Sequence, residues 1–235
     1  MKITILENIM EANDSIAEEI RGKLAAHQVL AINLMSSPGA GKTTLLEQTI
    51  QRLKALGMRV GVIEGDIAST RDADRLQKFD IPIVQINTGS ACHLDANMIR
   101  NAVNSLDCST LDILIIENVG NLVCPAEFKI GEDHKVMMLS VTEGDEKPLK
   151  YPLMFRESSV MLINKMDLLP YTNFNIDEAR LNASRINPHL TIFALSCTTG
   201  EGLDAWLGWL TSQLMKKHGK KVTRSRVSTA QKNVI

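Results

Sequence analysis

A chain of 235 residues, 44% of them hydrophobic, can bury the sheet of one α/β domain with a short extension at each end. A net charge of −1 excludes a general polyanion binder, so nucleic acid is not an expected partner. Cys92, Cys108, Cys124 and Cys197 are too scattered for a disulfide framework, and no apolar run is long enough for membrane insertion. Glu7, Glu11, Asp14, Glu18 and Glu19 break up the basic-then-apolar layout of a secretory signal, so the expected compartment is cytoplasmic.

In chain order, residues 9–28 have helical spacing, with Ile9, Ile16, Ile20 and Leu24 on one face. Residues 29–35 predict a buried strand and 43–56 a helix that Gly57 ends. A strand at 59–63, a short helix at 72–79, a strand at 83–86 and a helix at 95–106 follow. Residues 112–117 are nearly all apolar, as a strand covered on both faces should be. Further strands are expected at 135–142, 160–164 and 191–195, with helices at 177–186 and 203–215. This alternation predicts an α/β fold: a mainly parallel sheet flanked by helices. The expected division is a helical extension (1–28), a nucleotide-binding domain (29–215) and a basic tail (216–235), the tail reading as a solvated end rather than a nucleic-acid contact.

Between the first strand and its helix lies Ser36-Ser37-Pro38-Gly39-Ala40-Gly41-Lys42-Thr43-Thr44, a phosphate-binding loop. Gly39 and Gly41 permit the close backbone approach that turns successive N–H groups toward phosphate, and the helix N-terminus adds positive charge. Lys42 is expected on the β/γ-phosphates, with Pro38, Ala40 and Thr44 lining the cradle and Thr43 ligating Mg²⁺. Ser36 replaces the first glycine of the pattern, which we read as a variant.

Asn164-Lys165-Met166-Asp167 falls at a strand's carboxyl end, where open α/β sheets place ligands. The Asp167 carboxylate accepts only, which matches the two hydrogens guanine offers from N1 and its 2-amino group. The Lys165 stem can lie along the base and Asn164 can tie neighbouring loops. Ser196 and Cys197, ending the next strand, are expected to bring backbone N–H groups to O6. GTP and GDP are therefore the expected nucleotides. Besides Thr43, the Mg²⁺ shell needs hard oxygen ligands, and Glu117, Asp66 and Asp72 end or follow strands. With Lys42 they form the candidate catalytic set, Thr43, Asp66 and Glu117 being the magnesium candidates. The residues do not choose between Asp66 and Asp72 as water-orienting group. No arginine finger or water-orienting glutamine is recognisable, so slow intrinsic hydrolysis by positioning and charge neutralisation is expected.

Cys92-His93 and Cys124 offer two thiolates and an imidazole, donors that suit Ni²⁺ or Zn²⁺ and not Mg²⁺. A cysteine near a helix N-terminus is expected to have a lowered pKa. Adjacent Cys92 and His93 can share an ion only from irregular backbone, which Gly89 and Ser90 permit. Three ligands leave a tetrahedral ion one short, to be completed by water or by a second copy across a twofold axis. From residue chemistry alone, a structural role for these three competes with the metal role. Cys108 reads as a packing residue.

Together, Ser36–Thr44, Glu64-Gly65-Asp66, Gly89-Ser90-Ala91-Cys92-His93-Leu94-Asp95-Ala96, Glu117–Pro125 and Asn164–Asp167 resemble the HypB-type nickel-insertion GTPases. The resemblance covers residues 10–215 and implies the SIMIBI branch of P-loop GTPases. It also implies service to [NiFe]-hydrogenase or urease, a nucleotide-favoured homodimer, and a metal site at Cys92, His93 and Cys124. The implied partners are a HypA-type nickel/zinc protein and the hydrogenase large subunit. Some family members carry an N-terminal Cys-x-x-Cys-Gly-Cys or His-rich nickel site, whereas this sequence has no Cys before Cys92 and only His27 as an early His. Three alternatives compete with this reading. A urease-dedicated GTPase carries Cys-Pro-His, and Cys92-His93 lacks that proline. A small P-loop kinase needs an acceptor pocket and a lid and does not need Asn164–Asp167. A non-catalytic metal-binding module would use nucleotide only to dimerise.

Overall fold

The computed structural model describes residues 2–66 and 75–219, except for the side chains of residues 2–9 and 66. Seven strands form one sheet: β1 (Leu30–Ser36), β2 (Val60–Asp66), β3 (Ile83–Asn87), β4 (Ile113–Glu117), β5 (His134–Ser140), β6 (Val160–Asn164) and β7 (Thr191–Ala194). Their spatial order is β3-β2-β4-β1-β5-β6-β7 and every neighbouring pair is parallel. Each was expected from its apolar run, and β1, β4 and β6 are buried along their whole length.

The α-helices described from end to end are α1 (Lys2–Ala26), α2 (Lys42–Ala55), α3 (Ala96–Asn104), α4 (Cys124–Glu127), α5 (Lys147–Lys150), α6 (Pro152–Glu157), α7 (Ile176–Ile186) and α8 (Leu203–Lys217). Side chains of β1 alternate between two faces. Leu30, Ile32 and Leu34 pack with Leu45 and Ile50 of α2 and Trp206 and Leu210 of α8. Ala31 joins Ala17, Ile20 and Leu24 of α1 and Ile99 of α3, while Met35 joins Phe155 of α6 and Ala179 of α7. Each fully buried Leu or Ile contributes about 1.5–3 kcal/mol by leaving water.

Three short helices, α4, α5 and α6, went unforeseen, because four to six residues are too few to show a 3.6-residue period. Each carries a proline in its first turn. The helix anticipated at 72–79 lies partly outside the described residues, and 75–77 within them are helical. Of the basic tail, the residues beyond 219 also lie outside. Among the described residues no helix is long and apolar enough to cross a membrane.

Candidate functional site

The central strand β1 delivers the phosphate loop at the carboxyl edge of the sheet, where α2 begins. Gly39 (φ +74°) and Gly41 (φ +106°) take left-handed backbone conformations. A Cβ on Gly41 would also lie 2.5 Å from Asn164 Nδ2. No side chain caps the N-terminus of α2, so the N–H groups of its first turn are oriented for an anion. Ser36 is wholly buried, and its hydroxyl accepts from Lys42 Nζ at 3.0 Å while donating to the Ser37 carbonyl at 2.6 Å. The serine thus holds the lysine beside the loop. Thr43 Oγ1 donates to Glu117 Oε1 at 3.1 Å, joining the α2 start to the end of β4. Thr44 accepts from Arg75 at 3.4 Å.

Glu117 stands in register with Glu64 on β2, and both are buried. Two carboxylates and the Thr43 hydroxyl are hard oxygen donors of the kind a hard divalent cation takes. Asp66 closes β2, but its side chain and all of Asp72 lie outside the described residues.

One loop ties the phosphate end to the base end. Asn164 Nδ2 donates to the Ala40 carbonyl at 2.8 Å, and its Oδ1 accepts from the Cys197 N–H at 3.1 Å. Lys165, at φ +64°, donates to the Gly39 carbonyl at 2.7 Å. Asp167 Oδ1 accepts from Ser196 Oγ at 2.5 Å, and Ser196 Oγ accepts from the Thr199 N–H at 3.1 Å. One expectation is corrected here. The Ser196 N–H donates to the Glu201 carbonyl at 2.9 Å and the Cys197 N–H goes to Asn164, so both amides are used inside the protein. Burial pushes the Cys197 thiol up to about 12, which leaves it protonated and inert.

The second cluster lies on the irregular segment between β3 and α3 and on the first residue of α4. Cys92 Sγ is 3.1 Å from Cys124 Sγ and 3.7 Å from His93 Nδ1, and the ligand atoms of all three lie within 4.8 Å of one another. His93 stacks on Phe128 with centroids 4.1 Å apart. Burial holds the imidazole below its ordinary range, with Asp95 and Glu127 opposing, and so favours the neutral form that ligates metal. The Cys124 thiol is raised, first by the neighbouring Cys92 sulfur and then by burial. The lowering expected from a helix N-terminus does not appear, because a one-turn helix is outweighed by a second sulfur at contact distance.

The segment from Glu117 to Cys124 joins the two clusters. Asn118 Oδ1 accepts from the Leu94 N–H at 3.1 Å, and Asn121 Nδ2 donates to the Cys92 carbonyl at 3.2 Å. Between them Gly120 meets the phosphate loop: a Cβ there would be 3.0 Å from Pro38. A cleft of about 290 Å³ opens beside Pro38 and Asn121.

Residues 30–194 match the family model for the CobW/HypB/UreG nucleotide-binding domain. The hydrogenase maturation factor HypB of Escherichia coli strain K12 is 51% identical over 206 residues, covering 88% of this chain and 71% of that one. The chain belongs to the HypB family. HypB from Helicobacter pylori, crystallised in complex with nickel, superposes with a TM-score of 0.83 at 36% identity, covering 90% of this chain and 99% of that one. HypB from Archaeoglobus fulgidus gives a TM-score of 0.82 at 38% identity, with 87% and 100% covered.

In this HypB family member Glu64, the Ser36 hydroxyl, Asn118 and Asn121 also take part in the site, and local sequence assigns none of them that role. Glu64 carries the clearest overlooked signal: an acidic residue closing the apolar run Val60-Gly61-Val62-Ile63, which only strand register sets beside Glu117. Asn118 and Asn121 bond Leu94 and Cys92, partners remote in sequence, so no local pattern marks them.

Proposed function

We propose that this chain is a GTP-hydrolysing nickel metallochaperone that helps insert nickel into [NiFe]-hydrogenase, its nucleotide state controlling metal binding and dimerisation. One observation carries the reading: a single short segment meets Thr43 through Glu117 and Pro38 through Gly120, bonds Cys92 through Asn121, and ends in Cys124. A change at the terminal phosphate therefore has a contiguous path to two soft donors. Membership of the HypB family and the nickel complex of the Helicobacter pylori relative support nickel as the cargo. Two thiolates and one imidazole also accept zinc.

In this reading residues 29–215 are the GTPase domain, Asp167 reads guanine, and Lys42 with the amides of the phosphate loop binds the phosphates. Mg²⁺, held by Thr43, Glu117 and Asp66, would neutralise phosphate charge. Lys42 reaches the β/γ-phosphates from its place beside Ser36, and Asp66 or Asp72 orients the attacking water. The protein acts in the cytoplasm with a second copy of itself, a HypA-type nickel/zinc protein and the hydrogenase large subunit.

The test is complementation in cells that lack their own factor. Wild type should restore hydrogenase activity, and Lys42→Ala and Cys124→Ala should each fail, the first with nickel binding intact and the second with GTP binding intact. Full complementation by Lys42→Ala would leave a metal module that does not use hydrolysis.

A further inference from the structure

We propose that a buried polar bridge, running Lys135–Glu132–Asn33–Asn118 with Asn13 of α1 beside it, positions the two halves of the Cys92/His93/Cys124 site against each other. The proposal rests on the metal reading above and concerns residues that touch no ligand.

The halves sit on separate segments, one before α3 and one at α4, and the bridge reaches both. Lys135 Nζ donates to the Ala126 carbonyl at 2.6 Å, two residues after Cys124. Its ammonium lies 4.0 Å from Glu132 Oε1. Glu132 Oε1 accepts from Asn33 Nδ2 at 3.3 Å, and Asn33 Oδ1 accepts from Asn118 Nδ2 at 3.2 Å. Asn118 Oδ1 then accepts from the Leu94 N–H at 3.1 Å, one residue after His93. Asn13 makes a second crossing: its Nδ2 donates to the Lys129 carbonyl and its Oδ1 accepts from the Ala96 N–H, each at 2.9 Å. A Cβ on Gly131 would meet Ile20 Cγ2 at 2.5 Å, so α1 is pressed onto the same segment.

Position and burial set this chain apart from incidental polarity. Asn33 is fully buried, and it interrupts an otherwise apolar run of β1 between the α1/α3 packing and the α6/α7 packing. Lys135, Glu132 and Asn118 are 8%, 5% and 1% exposed. Desolvation holds the Lys135 ammonium below its ordinary range. Buried ion pairs are weak sources of stability, and apolar side chains of similar volume would serve a core as well. What the polar chain adds is direction, because its two ends bond backbone next to metal donors. Outer-shell hydrogen bonds of this kind orient ligands and tune affinity.

The experiment uses the full chain and Ni²⁺ alone, read by chelator competition and by the thiolate-to-nickel charge-transfer band. Guanine-nucleotide affinity and melting temperature are measured alongside. Lys135→Met should weaken nickel binding ~10–100-fold and shift the band, with nucleotide affinity unchanged. Asn13→Ala should do the same to a smaller degree, and it decides the matter if Lys135→Met does not fold. Wild-type nickel affinity and spectrum in both variants would overturn the proposal, as would losses of nickel, nucleotide and stability in equal step. Cys124→Ala separates the two levels: nickel binding unaffected by that change would remove the metal site itself and the bridge's role with it.

Discussion

Gly120 rests on Pro38 so closely that a Cβ at position 120 would lie 3.0 Å from three Pro38 atoms, two of them the backbone N and Cα, which cannot swing away. The loop following β4 and the phosphate loop are therefore packed directly against each other. Gly120→Ala forces one of them to shift, an overpacking that costs ~1–3 kcal/mol. The expected result is a lower melting temperature and weaker binding of a non-hydrolysable GTP analogue. A variant with wild-type values of both would show that the two loops are not in contact in solution.

Asp167 is held by the Ser196 hydroxyl at 2.5 Å, leaving its other oxygen for a base edge. Asp167→Asn replaces an acceptor with an amide whose NH₂ can face only an acceptor. GTP affinity should drop by about tenfold or more, the cost of leaving a buried donor unpaired. Xanthosine triphosphate should gain, since its 2-oxo group accepts where guanine donates. Competition binding with the two nucleotides measures this, and unchanged GTP preference would take guanine reading away from Asp167.

The seven strands were legible because each is a short, mostly apolar run, and the phosphate and base motifs were legible because they stand at strand ends. The site was legible as two lists of residues, not as one object. Cys92 and Cys124 are 32 residues apart in sequence, and no spacing rule joins them; donor chemistry grouped them with a structural role still competing, and the resemblance favoured the metal. Strand register made Glu64 a neighbour of Glu117, and register cannot be read from a single strand. Lys135 opens the strand expected at 135–142, yet its ammonium is buried against a helix too short to foresee. Ser196 and Cys197 were placed correctly along the chain, but their amides bond Glu201 and Asn164, partners that follow from loop closure rather than from local pattern.

His134 gives a pH dependence whose sign follows from its surroundings. The ring packs edge-on to Trp209 at 5.0 Å, and Nδ1 lies 3.2 Å from Ser159 Oγ. Burial lowers its pKa, Lys216 and Lys217 lower it further, and Asp133 opposes them. Because the folded pKa lies below the unfolded one, both states are neutral above about pH 6.5 and the residue costs nothing there. As pH falls below that, the unfolded chain takes the proton first and the native state loses stability until the folded pKa is passed. Wild type should therefore lose more melting temperature than His134→Phe between about pH 7 and pH 5. Equal losses in both would show that the imidazole titrates alike in the folded and unfolded states.

Nucleotide and metal should be reciprocally linked, because one segment touches both. If a non-hydrolysable GTP analogue changes nickel affinity relative to GDP by some factor, nickel must change the preference for that analogue over GDP by the same factor. Couplings of this kind typically amount to about 5–150-fold. Asn121 is the residue through which the factor should pass, since its side chain bonds the Cys92 carbonyl at 3.2 Å and the Val123 N–H at 2.9 Å. Asn121→Ala should bring the factor toward one while nickel and nucleotide each still bind. Calorimetric titration of either ligand with and without the other measures both sides of the cycle. Identical nickel affinity in the two nucleotide states of wild type would show that proximity of the sites carries no coupling, and that any metal held by Cys92 and Cys124 is indifferent to hydrolysis.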